Sequence, residues 1–133
     1  MADRLPQNIE AENTVLGLMI LSRSCVAKGM SILDPGHFHK KDNSLIFTGM
    51  KALFEKGKDV SLVSLTEQLK STNTLKAVGG GLRLAELAES SISDTEFETY
   101  TAILEDKKIK RNLIIVAEEI QKKGFDDVMD QDA

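Results

Sequence analysis

The most constraining feature of this sequence is its last helix, which carries two apolar stripes instead of one. Asp94 or Ser93 can cap it, and it reads as helical to about Gly124. With residues set about 100° apart, Phe97, Tyr100, Ile103 and Leu104 share one side. Ile109, Leu113, Val116 and Ile120 form a second stripe nearly opposite, which Ile114 and Ile115 broaden. A straight helix on one core needs one stripe. Two stripes require two covering surfaces, or a bend. The first half is therefore expected on a small head, residues 1–104, and the second half, within residues 105–133, is expected to project. Its stripe would pack on a second copy of the chain, on a later helix, or on both. Left in water, such a stripe is an association liability. The alternative is a kink near residue 108 that folds the second half back onto the head.

The rest of the chain predicts short helices. Asn8 is a fitting N-cap, followed by Glu10 and Glu12 in a first turn where negative charge suits the helix dipole. Val15, Leu16, Met19 and Ile20 continue that helix. A second spans about Cys25 to Leu33, before the turn signal Asp34-Pro35-Gly36. Asn43 or Ser44 can cap a third, closed by Gly57; Ser61 or Ser64 starts a fourth. Three glycines, Gly79–Gly81, precede a helix through Leu84, Leu87 and Ala88. Only Val60 to Val63 reads weakly as strand. The fold class is all-α: a compact head of about six short helices, then the long one.

Residue chemistry argues against an enzyme. The glycine run lacks the Lys-Ser/Thr of a phosphate-binding P-loop, no strand precedes it, and the dinucleotide fingerprint is absent. A corner between helices suffices to explain it. His37 and His39 are the only histidines and lack a third ligand for zinc, so a loop anchored by Phe38 with solvated histidines is expected. The acidic pairs, Glu10 with Glu12 and Glu118 with Glu119, read as solvated faces. Cys25 is the only cysteine, which excludes an internal disulfide and fits a reducing compartment. A net charge of −4 weighs against tight nucleic-acid binding by the domain as a whole. The basic cluster Lys107, Lys108, Lys110 and Arg111 sits beside Glu105 and Asp106, and reads as a solvated face or as part of an interface. No secretory signal or membrane-length apolar run is visible.

The ordered series of segments resembles a known family. LPQNIEAENTVLGLMIL, from Leu5 to Leu21, is similar to the opening of DnaB-type replicative DNA helicases in its Leu-Pro, Glu-Ala-Glu and Val-Leu-Gly. ILDPGHF, LIFTGMKALFEKGKDVSLVSLTEQL, Val78-Gly79-Gly80 and Leu84-Ala85-Glu86-Leu87 extend the match, and the span from Tyr100 and Ile103 to Gly124-Phe125-Asp126 completes it. It covers roughly residues 5 to 127; no single motif is specific. Departures include Gly81 and Arg83, where the family often has an apolar residue and an aromatic, and Asp59, Ser61 and His39.

The resemblance implies the N-terminal domain of such a helicase: a helical head followed by a helical hairpin. Hairpins pair between subunits, giving a dimer, and a trimer of dimers forms a collar on the hexameric ring. The collar docks the C-terminal domain of primase and, in some systems, a helicase loader. ATP and magnesium belong to a separate C-terminal motor domain with its own P-loop, absent from this sequence. That domain also makes most DNA contacts. The family's second hairpin arm would begin near Asp127. Self-association is thus expected through Ile109, Leu113, Ile114, Val116, Ile120 and Phe125, and partner binding near Tyr100, Lys107 and Arg111. No catalytic, cofactor or metal residue is expected here, and the setting is cytoplasmic, at a bacterial replication fork or in an organelle of bacterial origin. Two other readings stay open: a free-standing adaptor, such as a loader or a primase helicase-binding domain, and a small hydrolase using His37 or His39.

Overall fold

The computed structural model describes residues 4–91 and 93–126. Among them are six α-helices, two short 3-10 turns and no strand. The order is α1 (Ile9–Leu21), α2 (Arg23–Ile32), a 3-10 turn (Pro35–His37), α3 (Lys41–Glu55), α4 (Leu62–Ser71), α5 (Gly80–Glu89), a second 3-10 turn (Asp94–Glu96) and α6 (Phe97–Gly124). Five α-helices and two turns thus stand where the sequence suggests about six short helices. The Val60–Val63 stretch leads into α4 instead of forming a strand.

Helix α1 is the axis of the head. Ala11, Val15, Leu16, Leu18, Met19 and Ile20 are all buried, so it is apolar nearly all round, as a central helix must be. Helices α2, α3, α5 and α6 pack around it. The approach of α5 is closest at Gly17, where an added Cβ would lie 2.2 Å from the Leu87 carbonyl oxygen. The core is mostly aliphatic, with Phe97 buried in it and Phe38 stacked on Phe47 at 5.1 Å between ring centroids.

Local signals start and stop most helices. The Asn8 side chain accepts from Ala11 N at 2.9 Å, and Ser61 and Ser64 form a reciprocal capping box at α4. Gly57 closes α3 with φ +71°. At the glycine corner Gly79 and Gly80 adopt φ +102° and +76°, backbone that favours glycine, while Gly81 already lies in α5.

The start of α3 departs from expectation. Neither Asn43 nor Ser44 caps it; the cap position is Lys40, whose side chain makes no capping bond. Glu12 of α1 instead holds the segment that leads into α3. Its carboxylate accepts from His39 N at 2.8 Å, from Lys40 N at 3.3 Å and from Asn43 Nδ2 at 3.1 Å. Glu12 is therefore not on a solvated face: it is completely buried. Arg83 extends this network, donating to Asn43 Oδ1 at 2.8 Å, to Asn13 Oδ1 at 3.3 Å and to the Val78 carbonyl at 3.2 Å. Arg83 thus ties α5 to α1 and α3 by hydrogen bonds.

Candidate self-association and docking interface

Helix α6 runs unbroken from Phe97 to Gly124, so no kink at residue 108 returns its second half to the head. The first stripe is the head-facing one. Phe97 and Leu104 are buried, Thr101 is buried between them, and Tyr100 and Ile103 pack half-buried against the core.

Past Leu104 the head holds α6 with polar groups. Glu105, Lys108 and Arg111 recur every three residues, and each reaches the turn at residues 34–37 or the segment before α1. His37 Nε2 lies 2.6 Å from Glu105 Oε2. His37 Nδ1 accepts from Asp34 N at 3.0 Å, so the ring proton sits on Nε2 and is donated to Glu105. Lys108 Nζ donates to Asp34 Oδ2 at 2.7 Å. That bond, with the Gly36 amide on Asp34 Oδ1 and the charge of Lys108, holds the Asp34 carboxyl below its ordinary 3.8 against the opposing effect of burial.

Arg111 goes deepest. It is 6% exposed, and its two terminal nitrogens donate to the Pro6 and Gly36 carbonyls, each at 2.9 Å. Burial pushes its guanidinium below the ordinary value, opposed by the charge of Glu12. Arg111 thus engages both terminal nitrogens inside its own chain. One expectation is corrected here. His37 is not solvated; it is buried and bonded at both ring nitrogens. His39 is half-buried, and among the described residues no cluster of three or more His, Cys, Asp or Glu could hold a metal. Neither Glu12, His37 nor Arg111 announces its role in the sequence, since each partner lies far along the chain.

Among the described residues nothing covers the second stripe. Ile109, Leu113, Val116 and Ile120 are 50%, 64%, 51% and 66% exposed, Ile115 is exposed and Ile114 is half-buried. Phe125 is 79% exposed just past the helix end. Lys107 is half-buried, and Lys110 pairs with Asp106 at 2.9 Å one turn away. On the same face of α6, nearer its start, lies an open groove against α2 of about 420 Å³, floored by Ile32, Leu33 and Ala102. The expected second arm, from Asp127, lies outside the described residues. No helix among the described residues is long and apolar enough to cross a membrane.

The geometry has counterparts among known proteins. The profile of the DnaB-like helicase N-terminal domain matches residues 4–106. The replicative DNA helicase DnaC of Bacillus subtilis is 38% identical over 92% of this chain, and the replicative DNA helicase DnaB of Geobacillus stearothermophilus is 34% identical over 90%. The chain spans only about a quarter of the length of these relatives, 27% and 26%. The crystal structure of the N-terminal domain of DnaB helicase from Mycobacterium tuberculosis superposes with a TM-score of 0.88 at 24% identity, covering 92% of this chain and 85% of that one, a likeness of fold. A DnaB-like replicative helicase studied with its interactions with primase gives 0.73 at 28% identity, covering 87% of this chain and 27% of that one. With a family profile over most of its length and a helical fold that agrees, the chain belongs to the DnaB-like helicase N-terminal domain family.

Proposed function

We propose that this chain is the assembly and docking domain of a hexameric replicative DNA helicase, acting by binding and not by catalysis. It divides into a head, residues 1–104, and an arm from residue 105. Unwinding of duplex DNA with ATP and magnesium would belong to a motor domain elsewhere in the full protein, at a cytoplasmic replication fork. The observation that carries this reading is the bare stripe Ile109, Leu113, Val116 and Ile120 on a helix that continues beyond the head's last hold at Arg111. Each such side chain contributes roughly 1.5–3 kcal/mol when fully buried, so a dimer covering both copies' stripes gains enough to form. Primase, through its C-terminal domain, would dock near the base of the arm around Tyr100 and Lys107, and a loader could share that surface. The primase-interacting helicase among the structural neighbours supports this direction.

The stripe also favours one geometry. Its spacing of four, three and four residues is that of a coiled-coil seam, and Asp106 and Lys123 are the next seam positions on either side. In a parallel pair they would meet their own kind, acid on acid and base on base. In an antiparallel pair centred between Leu113 and Val116, Leu113 of one copy meets Val116 of the other. Ile109 then meets Ile120, and Asp106 meets Lys123. We therefore take the pair as antiparallel.

Sedimentation velocity over a range of concentrations tests the reading. The chain is expected to dimerise reversibly, and the double substitution Leu113→Asp, Val116→Asp to weaken dimerisation by about 100-fold or more with helicity retained. A dimer that survives the double substitution, or a chain that stays monomeric at high concentration, removes the basis for the assignment.

A further inference from the structure

The apolar grip of the head on α6 ends at Leu104, the last buried apolar residue of that helix among the described residues. From there outward the helix is held by side-chain polar bonds, and the outermost is Arg111. We infer that Arg111 is a positioning residue: with Glu105 and Lys108 it clasps the helix to the Pro6 segment and the 34–37 turn, and so fixes the direction in which the arm leaves the head.

Three features favour a clasp over an incidental core contact. Both acceptors of Arg111 are backbone carbonyls, from two segments about thirty residues apart in sequence. Such acceptors cannot rotate away as a side chain could, so the guanidinium plane inherits the orientation of the head. The planar fork holds both at 2.9 Å, which restrains rotation of the helix as well as its distance. The same turn also meets Lys108: its Cε would lie 3.5 Å, an ordinary contact distance, from a Cβ at Gly36. Arg83 offers an internal contrast. It too bridges several oxygens, but those lie within the head and none is on α6.

This inference deepens the self-association reading, and its meaning for assembly rests on that reading. It can be tested apart from it, in the Leu113→Asp, Val116→Asp background, where the chain is monomeric. With Cys25 replaced by Ala, spin labels at Lys51 on the head and Lys122 on the arm, both exposed positions, report the head-to-arm distance distribution by pulsed electron resonance. Arg111→Met is expected to widen that distribution at least twofold with ellipticity at 222 nm unchanged. Arg111→Lys is expected to widen it less. Arg83→Met is expected to lower Tm and leave the width alone. Lys108→Met removes a half-exposed clasp member that the core does not need, and is expected to widen the distribution measurably should Arg111→Met fail to fold. An unchanged width in the Arg111 and Lys108 variants, or equal widening by Arg83→Met, overturns the clasp. Failure of the unmodified chain to dimerise would instead count against the self-association reading and leave the width measurement standing.

Discussion

Asp34 and Glu12 show how differently two carboxylates can serve one head. Glu12 is wholly buried, and two backbone amides and an amide side chain point at it. Removing it would strand those donors, at a cost on the order of 1–3 kcal/mol for each one left unsatisfied. Asp34 is half-exposed, and its Oδ2 holds Lys108 of α6. Its folded-state pKa lies below 3.8, so the unfolded chain takes up the proton first as pH falls. The stabilisation is therefore complete above the unfolded value and lost as pH drops through the lower folded one. Asp34→Asn keeps an oxygen for the Gly36 amide and removes the charge. The Tm difference between parent and variant is expected to stay constant from about pH 8 to about pH 5, and to shrink below about pH 4. The free energy behind it should amount to no more than about 1 kcal/mol, because solvent screens a pair this exposed. A difference that grows on acidification, followed by thermal melts monitored by circular dichroism, would contradict the assignment of Lys108 as the partner.

At the scale of elements, α6 is one helix with two clients. Its head-facing half packs by shape and its outer half offers a seam. If the antiparallel geometry holds, Lys123→Asp brings an acid against Asp106 of the other copy. It is expected to weaken dimerisation about tenfold at low salt, and adding Asp106→Lys in the same chain to restore it. A parallel pair would change little with either substitution, because each only exchanges one like-charge pair for another, and sedimentation equilibrium distinguishes the two cases. The two stripes were legible in the sequence because periodicity is local: Phe97 to Ile120 needs no knowledge of anything beyond one helix. The same holds for the Asn8 and Ser61 caps and for Gly57. Glu12, Arg111 and His37 were not legible. The hydrogen bonds that bury them join residues between 27 and 105 positions apart, and a polar residue reads as solvated unless its distant partner is known. For the same reason Asn43 reads as a cap of α3, while its side chain instead bonds Glu12 and Asn13 of α1.

For the whole molecule, association and stability are linked. If the stripe is covered only in the dimer, mass action makes the folded arm more stable as concentration rises. Amides beyond about residue 112 are expected to exchange with solvent faster in dilute than in concentrated solution, while those of α1 stay unchanged. Hydrogen exchange followed by mass spectrometry at two protein concentrations reads this directly, and identical protection at both would mean the arm is stable without a neighbour.

An unbroken helix of 28 residues is also a stiff beam, roughly 42 Å long at 1.5 Å per residue. About 20 Å of it lies beyond the clasp. A tilt of roughly 10° at the clamp would carry the free tip by about 3 Å, more than half a helical turn. Small adjustments at Pro6 or Gly36 would thus be magnified at the tip of the arm.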